Sequence, residues 1–194
     1  MVQQASKALL FRNEEEKALF LDGAAREDAT DPNQPEVRTL AKRLLAAHPH
    51  VEDFVRSVQR FVRDSIRYVR DTNRFLPGGK GEQFADSGVI LRRGFDDCDG
   101  KARLVIALLL CGQSLNPALR IDARMRPVWR RKHWTHAQAE ARWPGSERLR
   151  SLDGKRKIAE PDGWILIDAI VKGLAMGENP ERMRDPKTGK IPVW

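Results

Sequence analysis

The chain has 194 residues, a length that predicts one domain large enough to bury a core. Hydrophobic residues make up 41% and charged residues 32% of the sequence, which is typical of a soluble globular protein. An integral membrane protein is excluded at this stage, because no apolar stretch reaches the length that spans a bilayer. Charged residues interrupt the N-terminal segment, so we expect no secretory signal and a cytoplasmic location.

The net charge of +8 favours an acidic partner such as nucleic acid. The basic residues are scattered over the whole chain, however, and the single tyrosine leaves them without interleaved aromatic side chains. A solvated basic surface is therefore the simpler interpretation, and direct binding of nucleic acid is the alternative. Nothing in the sequence indicates an oligomeric state.

The first third of the chain is predicted to be largely helical. Residues 1–22 are weakly amphipathic, and a break rich in proline, asparagine and aspartate follows them. Helices are predicted over 36–47 and 51–69, the second because its apolar residues recur at helical spacing. We therefore assign residues 1–67 to an N-terminal helical region that packs on a core formed by 68–194, which ends in an irregular tail.

A central helix is predicted from Lys101 to Cys111, where apolar residues cover nearly every face. A helix that is apolar all round is buried. Asp96 or Asp97 is expected to cap its N-terminus, because aspartate accepts hydrogen bonds from the first backbone amides of a helix.

Strands are predicted after the central helix. Residues 118–129 and 134–143 alternate between apolar and polar side chains, and 164–168 is a short apolar run that ends in an aspartate. The order is helices, a central buried helix and then antiparallel strands. This segregation predicts the α+β class, with the central helix packed on an antiparallel sheet.

The two cysteines lie at opposite ends of the central helix, Cys98 at its start and Cys111 at its end. Thirteen positions along one helix separate them by about 20 Å, which is too far for a disulfide. They also lack the spacing of a zinc site with other cysteines or with histidines. We expect the two thiols to have different roles, with Cys111 an inert packing residue.

Cys98 lies at the start of a predicted helix, a position that favours a reactive thiolate. Backbone amides in the first turn of a helix stabilise a thiolate and lower its pKa from about 8.5, and the same amides stabilise an oxyanion. The neighbouring residues Asp96, Asp97 and Asp99 oppose this effect by repulsion. A nearby cation is then needed, and a protonated histidine is the usual one.

His136 and Asp168 are the candidate partners of this thiol. His136 lies on the polar face of a predicted strand, from which a base is held rigidly, and Asp168 ends an otherwise apolar strand. A base of this kind requires a carboxylate on its second ring nitrogen. Each residue also has a structural interpretation: Cys98 in packing, His136 at the surface, and Asp168 as a turn cap. The order of the three on helix, strand and strand favours a joint role.

Three segments resemble the motifs of the transglutaminase-like branch of the papain-type superfamily. They are DDCDGKARLVIALLLCGQSLNPALRID, THAQAEARW and GWILIDA. The resemblance covers about half of the chain and implies a papain-like, transglutaminase-core fold. It also implies that Cys98 is the nucleophile, His136 the general base and then acid, and Asp168 the orienting carboxylate. Gln83 resembles a polar position that assists the oxyanion hole in some members.

Two positions depart from the family pattern. Asp96 stands where the family usually has glycine two residues before the nucleophile, and Gln138 stands where an aromatic residue often follows the histidine. Both changes affect the lip of the predicted cleft and put the substrate class in doubt.

The implied activity is that of a cysteine-dependent amide hydrolase or acyl transferase that forms a thioester with a protein or peptide substrate. Hydrolysis is favoured, because nothing visible in the sequence prepares an amine site. The mechanism requires no metal or cofactor, and the aspartates at 96–99 are expected to cap the helix rather than bind calcium. The alternative is a catalytically inactive fold of this family that serves in binding or in a phage-related assembly.

Overall fold

The computed structural model describes residues 7–9, 14–70, 82–130, 133–151, 156–170 and 174–178. The helices are α1 (Glu14–Thr30), α2 (Pro35–Ala47), α3 (Val51–Ser65), α4 (Ser87–Arg93) and α5 (Cys98–Leu115). The strands are β1 (Lys7–Leu9), β2 (Arg67–Tyr68), β3 (Glu82–Phe84), β4 (Phe95–Asp96), β5 (Asp122–Arg130), β6 (His133–Arg142) and β7 (Ile165–Ile167). The fold is of the α+β class. Among the described helices, none has the length and apolar character needed to cross a membrane.

Helix α5 forms the centre of the molecule, and its buried character confirms the prediction. Residues 104–109 are all fully buried, and α1, α2 and α3 pack against the helix, as do β5 and β6 of the sheet. Asp97 is the N-cap, and its Oδ1 accepts hydrogen bonds from the amides of Asp99 at 3.0 Å and Gly100 at 3.2 Å. The helix runs to Leu115, beyond the predicted end, since no residue before Asn116 breaks it.

Helix α3 approaches α5 closely at one glycine. A β-carbon at Gly112 would lie 2.3 Å from Cζ of Phe54, a buried side chain of α3. No side chain fits in this space, so the absence of a β-carbon at Gly112 allows the phenylalanine ring to lie against the backbone of α5.

The predicted strands form an antiparallel sheet in the order β5-β6-β7. Alternation along β6 places alanines on one face and His136, Gln138 and Glu140 on the other. These three residues are buried rather than solvated, each only 2% exposed. The interpretation of His136 as a surface residue is therefore wrong.

Helix α3 ends earlier than the sequence predicts. It stops at Ser65, Ile66 adopts extended backbone angles, and β2 then pairs in parallel with β4. The amide of Arg67 donates to the carbonyl of Gly94 and that of Val69 to the carbonyl of Asp96, both at 2.9 Å. This non-local pairing replaces the last helical turn and brings the end of the N-terminal region against the start of α5.

A buried network around Asp28 joins four helices. Arg103 of α5 donates to both carboxylate oxygens of Asp28 in α1, each at 2.7 Å. The hydroxyl of Ser87 at the start of α4 and the amide of Gln34 before α2 donate to the same carboxylate. The N-terminal helices are thus bound to α5 by charge as well as by apolar packing. The predicted irregular tail, at 178–194, lies outside the described residues except for Glu178.

Candidate active site

His136 and Asp168 meet in the interior beside the sheet. Nε2 of His136, in β6, lies 2.7 Å from Oδ2 of Asp168, which directly follows β7. The same Oδ2 accepts a hydrogen bond from Nε2 of Gln138 at 3.0 Å, and Oδ1 accepts one from the amide of Ile170 at 2.8 Å. Both oxygens of the carboxylate are therefore held by donors.

These donors keep Asp168 ionised. Burial alone would raise the pKa of its carboxyl, but the hydrogen bond and charge of His136, with hydrogen bonds from Ile170 and Gln138, outweigh burial and hold the pKa below its usual value. An ionised carboxylate only accepts hydrogen bonds, so Nε2 of His136 carries a proton in this pair. In the neutral form of the ring, Nδ1 is then the acceptor.

Cys98 lies beside the same strand. The backbone amide of Ala137, the residue after His136, lies close enough to this thiol to act on its pKa in the lowering direction. The thiol donates to Oδ1 of Asp99 at 3.2 Å. The structure therefore brings together the three residues that the sequence singled out: His136 and Asp168 by direct contact, and Cys98 through the backbone next to His136.

The pKa of Cys98 is raised well above its ordinary value, and the expectation of a lowered pKa was wrong. Burial is the largest cause, followed by the negative charges of Asp99 and Asp97. The helix N-terminus does not offset these effects, because the carboxylate of Asp97 already accepts the amides of Asp99 and Gly100. The resting group is therefore a neutral thiol whose proton points toward Asp99.

Asp99 connects this site to the N-terminal helix. Its Oδ2 lies 2.6 Å from Nζ of Lys17 in α1, and both side chains are buried. Asp97, Cys98 and Asp99 present possible metal ligands within 4.8 Å of one another. Both carboxylates already have other roles, since Asp97 caps α5 and Asp99 pairs with Lys17.

Asp96, the first departure from the family pattern, is packed against the start of α5. Its Oδ1 accepts the amide of Asp97 at 2.8 Å, and Oδ2 pairs with Arg93. The carboxyl group fills the space above Gly100, where a β-carbon would lie 2.2 Å from Cγ of Asp96. Asp96 thus supports the turn that presents Cys98.

Tyr68 adds a protonated phenol near the thiol. It stands opposite Asp96 in the parallel β2–β4 pair. Burial raises the pKa of Tyr68 to about 12, and the negative charges of Asp97 and Asp99 contribute in the same direction. The phenol therefore keeps its proton at any working pH and remains a hydrogen-bond donor.

Lys101 is a fully buried cation one turn along α5 from Cys98. Its Nζ donates to the carbonyl of Ile66 at 2.6 Å, which fixes the residue where α3 turns into β2. Burial lowers the pKa of Lys101 to about 8, although the charges of Asp168 and Asp64 act in the opposite direction. The chain thus carries an ionisable group that titrates close to neutral pH.

This lowered pKa predicts a pH-dependent difference between wild type and Lys101→Met. Between about pH 8 and pH 10.5 the unfolded chain holds a proton that folded Lys101 has released, so wild-type stability rises relative to the variant across that window. The gain reaches up to about 3 kcal/mol at about 1.36 kcal/mol per pKa unit. Urea unfolding of both proteins from pH 7 to pH 10 measures it, and a constant difference would contradict the assignment.

Sequence reasoning missed several neighbours of the candidate triad. The sequence analysis treated Gln138 only as a departure from the family pattern. It shares the strand face of His136, so the alternation along that strand could have indicated its contact with Asp168. Gln59 of α3 donates to the carbonyl of Asp168 at 2.7 Å, a long-range contact that no local pattern indicates. Gln83 lies in β3 opposite Ala8, and its side chain lies outside the described part of the structure, so its predicted oxyanion role stays a prediction.

Comparisons of the chain with protein-family models, with curated proteins and with solved structures found no significant match. Interpretation of the site therefore depends on the quoted motifs and on the geometry of Cys98, His136 and Asp168.

Proposed function

We propose that the protein is a transglutaminase-like, papain-type cysteine enzyme that cleaves or transfers an acyl group from an amide of a protein or peptide. The observation that carries this proposal is the buried His136–Asp168 pair next to a cysteine at a helix N-terminus. The order of helix, strand and strand agrees with the family resemblance of the sequence. Structural histidines need no ionised carboxylate and no adjacent thiol, so the combination favours a reactive site.

The reaction begins from the neutral thiol. Nδ1 of His136 takes the proton of Cys98 as the sulfur attacks the carbonyl carbon, and Asp168 stabilises the imidazolium that forms. The carbon–nitrogen bond then breaks, and His136 gives the proton to the leaving amine. Water, activated by the same histidine, attacks the thioester and releases the acid and the free thiol. An amine in place of water would give transamidation.

The neutral state of the Cys98 thiol determines how this nucleophile is activated. A preformed thiolate–imidazolium pair is not required, because the proton transfer accompanies the attack, as it does for a serine nucleophile. Asp99 must release the thiol proton for this step, and the backbone amide of Ala137 favours the negative charge that develops on sulfur. Hydrolysis remains favoured over transamidation, since the described residues include no evident amine site.

The second candidate function is a catalytically inactive fold that serves in binding or assembly. The raised pKa of Cys98 favours it, because a protonated thiol is a weak nucleophile. Such a protein would retain the three residues for packing alone.

Acylation by p-nitrophenyl acetate tests the proposal without knowledge of the natural substrate. Wild type is expected to release a burst of one p-nitrophenolate per chain, with the acetyl group found on Cys98 by peptide mass spectrometry. His136→Ala is expected to slow the burst by roughly 10²-fold or more, the usual contribution of a general base. Cys111→Ala is the matched control, because it removes the other thiol of the same helix and leaves the burst intact.

The two candidate functions predict different results. Loss of the burst in Cys98→Ala together with slow acylation of His136→Ala supports the enzyme. Acetylation of Cys98 at the same rate with and without the histidine would contradict it and favour the inactive fold.

A further inference from the structure

An open cavity of about 670 Å³ lies against strands β5 and β6. Arg124 and Arg126 of β5 and Glu140 of β6 form its sheet wall. Glu160 and Asp162, in the segment before β7, form the opposite wall. The charged groups that line the cavity are thus two arginines and three carboxylates.

The sheet wall of the cavity lies on the face of the sheet that carries His136. Arg126 stands directly opposite Gln138 in the β5–β6 register, and Gln138 donates to Asp168. Glu140 is the next residue of β6 on that face. A ligand in the cavity would therefore lie within a few residues of His136 along β6.

The two arginines are held in place before any ligand arrives. The side chain of Glu140 is only 3% exposed. Nε of Arg124 donates to its Oε2 at 2.9 Å, Nη2 of Arg124 lies 2.9 Å from the same oxygen, and Nη1 of Arg126 donates to its Oε1 at 2.5 Å. The guanidinium of Arg124 also stacks on the ring of Trp164, 3.9 Å from its centroid. Side chains fixed in this way lose little conformational entropy when a ligand binds.

Both guanidinium groups nevertheless reach solvent, with side-chain exposures of 45% for Arg124 and 38% for Arg126. Within the part of the chain that the structure describes, Nε and Nη2 of Arg126 donate to no protein group. Glu160 is the nearest further carboxylate, and its Oε1 lies 3.8 Å from Nη1 of Arg126, beyond hydrogen-bond distance. Charged donors in a fixed plane that face a cavity fit a carboxylate.

We propose that this cavity binds the carboxylate of an acidic peptide side chain, with Arg126 as the principal donor. This inference rests on the proposed function, and it makes the cavity a subsite that selects amides flanked by aspartate or glutamate. The net charge of +8 acts in the same direction, because it attracts acidic substrates over distance. Glu160 occupies the approach to Arg126 and competes with the incoming carboxylate.

Binding to Cys98→Ala protein tests the subsite independently of catalysis. The probes are two fluorescein-labelled peptides of alanine and glycine that differ only in a central glutamate or glutamine. Fluorescence anisotropy is expected to show roughly tenfold tighter binding of the glutamate peptide, the effect of about one charge-assisted hydrogen bond. Arg126→Met is expected to abolish this preference, and Glu160→Gln to increase it.

The two substitutions are expected to change the preference for the glutamate peptide in opposite directions, so the test does not depend on one variant alone. Glu160 is exposed, so its substitution leaves the fold intact even if Arg126→Met unfolds the sheet. Arg126→Lys is a second control, because it retains the positive charge and removes the planar guanidinium. Equal binding of the two peptides, or a preference unchanged by both Arg126→Met and Glu160→Gln, would overturn the proposal. A single-stranded DNA oligonucleotide that binds through Arg126 while the peptides do not would likewise overturn it and assign the cavity to phosphate. A failure of the acylation test would leave these binding results interpretable, since the Cys98→Ala protein performs no chemistry.

Discussion

Asp168→Asn is expected to slow acylation of Cys98 by roughly 10³- to 10⁴-fold, the loss that a histidine in the wrong tautomer produces in related triads. Three donors point at this carboxylate: Nε2 of His136, Nε2 of Gln138 and the amide of Ile170. An asparagine offers only one oxygen, so its NH₂ group must face one of these donors.

The structure can accommodate the asparagine at the lowest cost in free energy by a change in the tautomer of His136. If the asparagine amide donates to Nε2 of His136, the ring carries its proton on Nδ1 and can no longer accept the proton of Cys98. The variant therefore loses the base while it keeps the shape of the site.

Two measurements separate this effect from misfolding. The burst rate with p-nitrophenyl acetate gives the loss of acylation, and ¹⁵N chemical shifts of the His136 ring report the tautomer. Asp53→Asn, which changes an exposed aspartate of α3, is the matched control and should leave both unchanged. A burst within tenfold of wild type in Asp168→Asn would remove Asp168 from the proposed mechanism.

Arg103→Ala is expected to cost about 3–5 kcal/mol of the free energy of unfolding, because it leaves a buried carboxylate without its cation. Asp28 receives two hydrogen bonds from this arginine, and its side chain is only 2% exposed. The remaining donors, from Ser87 and Gln34, are neutral and do not compensate the charge.

Urea unfolding of matched variants measures this cost. The double change of Arg103 to methionine and Asp28 to asparagine is expected to be less destabilising than Arg103→Ala, since no charge remains buried. The control is Arg92→Ala, which breaks the exposed pair with Glu36 and should cost at most about 1 kcal/mol. Equal losses for Arg103→Ala and Arg92→Ala would contradict the role assigned to the network.

Local patterns predicted the central elements of the molecule. The apolar run after Asp97 indicated both the buried helix and its cap, and alternation indicated β5 and β6. The pairing of His136 with Asp168 was also predictable, because each residue stands at a strand position where a polar side chain needs a partner. These features depend on residues close in sequence or on the period of a single strand.

Features that depend on distant contacts were not predictable. The end of α3 at Ser65 follows from the pairing of β2 with β4, which lie far apart in the chain. The raised pKa of Cys98 depends on burial against β6 and on the rotamer of Asp99. The burial of Lys101 requires the carbonyl of Ile66, and no spacing in the sequence indicates that contact.

The contact between Asp96 and Gly100 places a joint constraint on how this sequence can evolve. The carboxyl of Asp96 occupies the volume that any larger residue at position 100 would need. A lineage that places aspartate two residues before the cysteine must therefore keep glycine two residues after it. Homologues with glycine at the first position are free of this constraint at the second. The two positions should covary on either side of the nucleophile, so that the pair marks this lineage within any wider family.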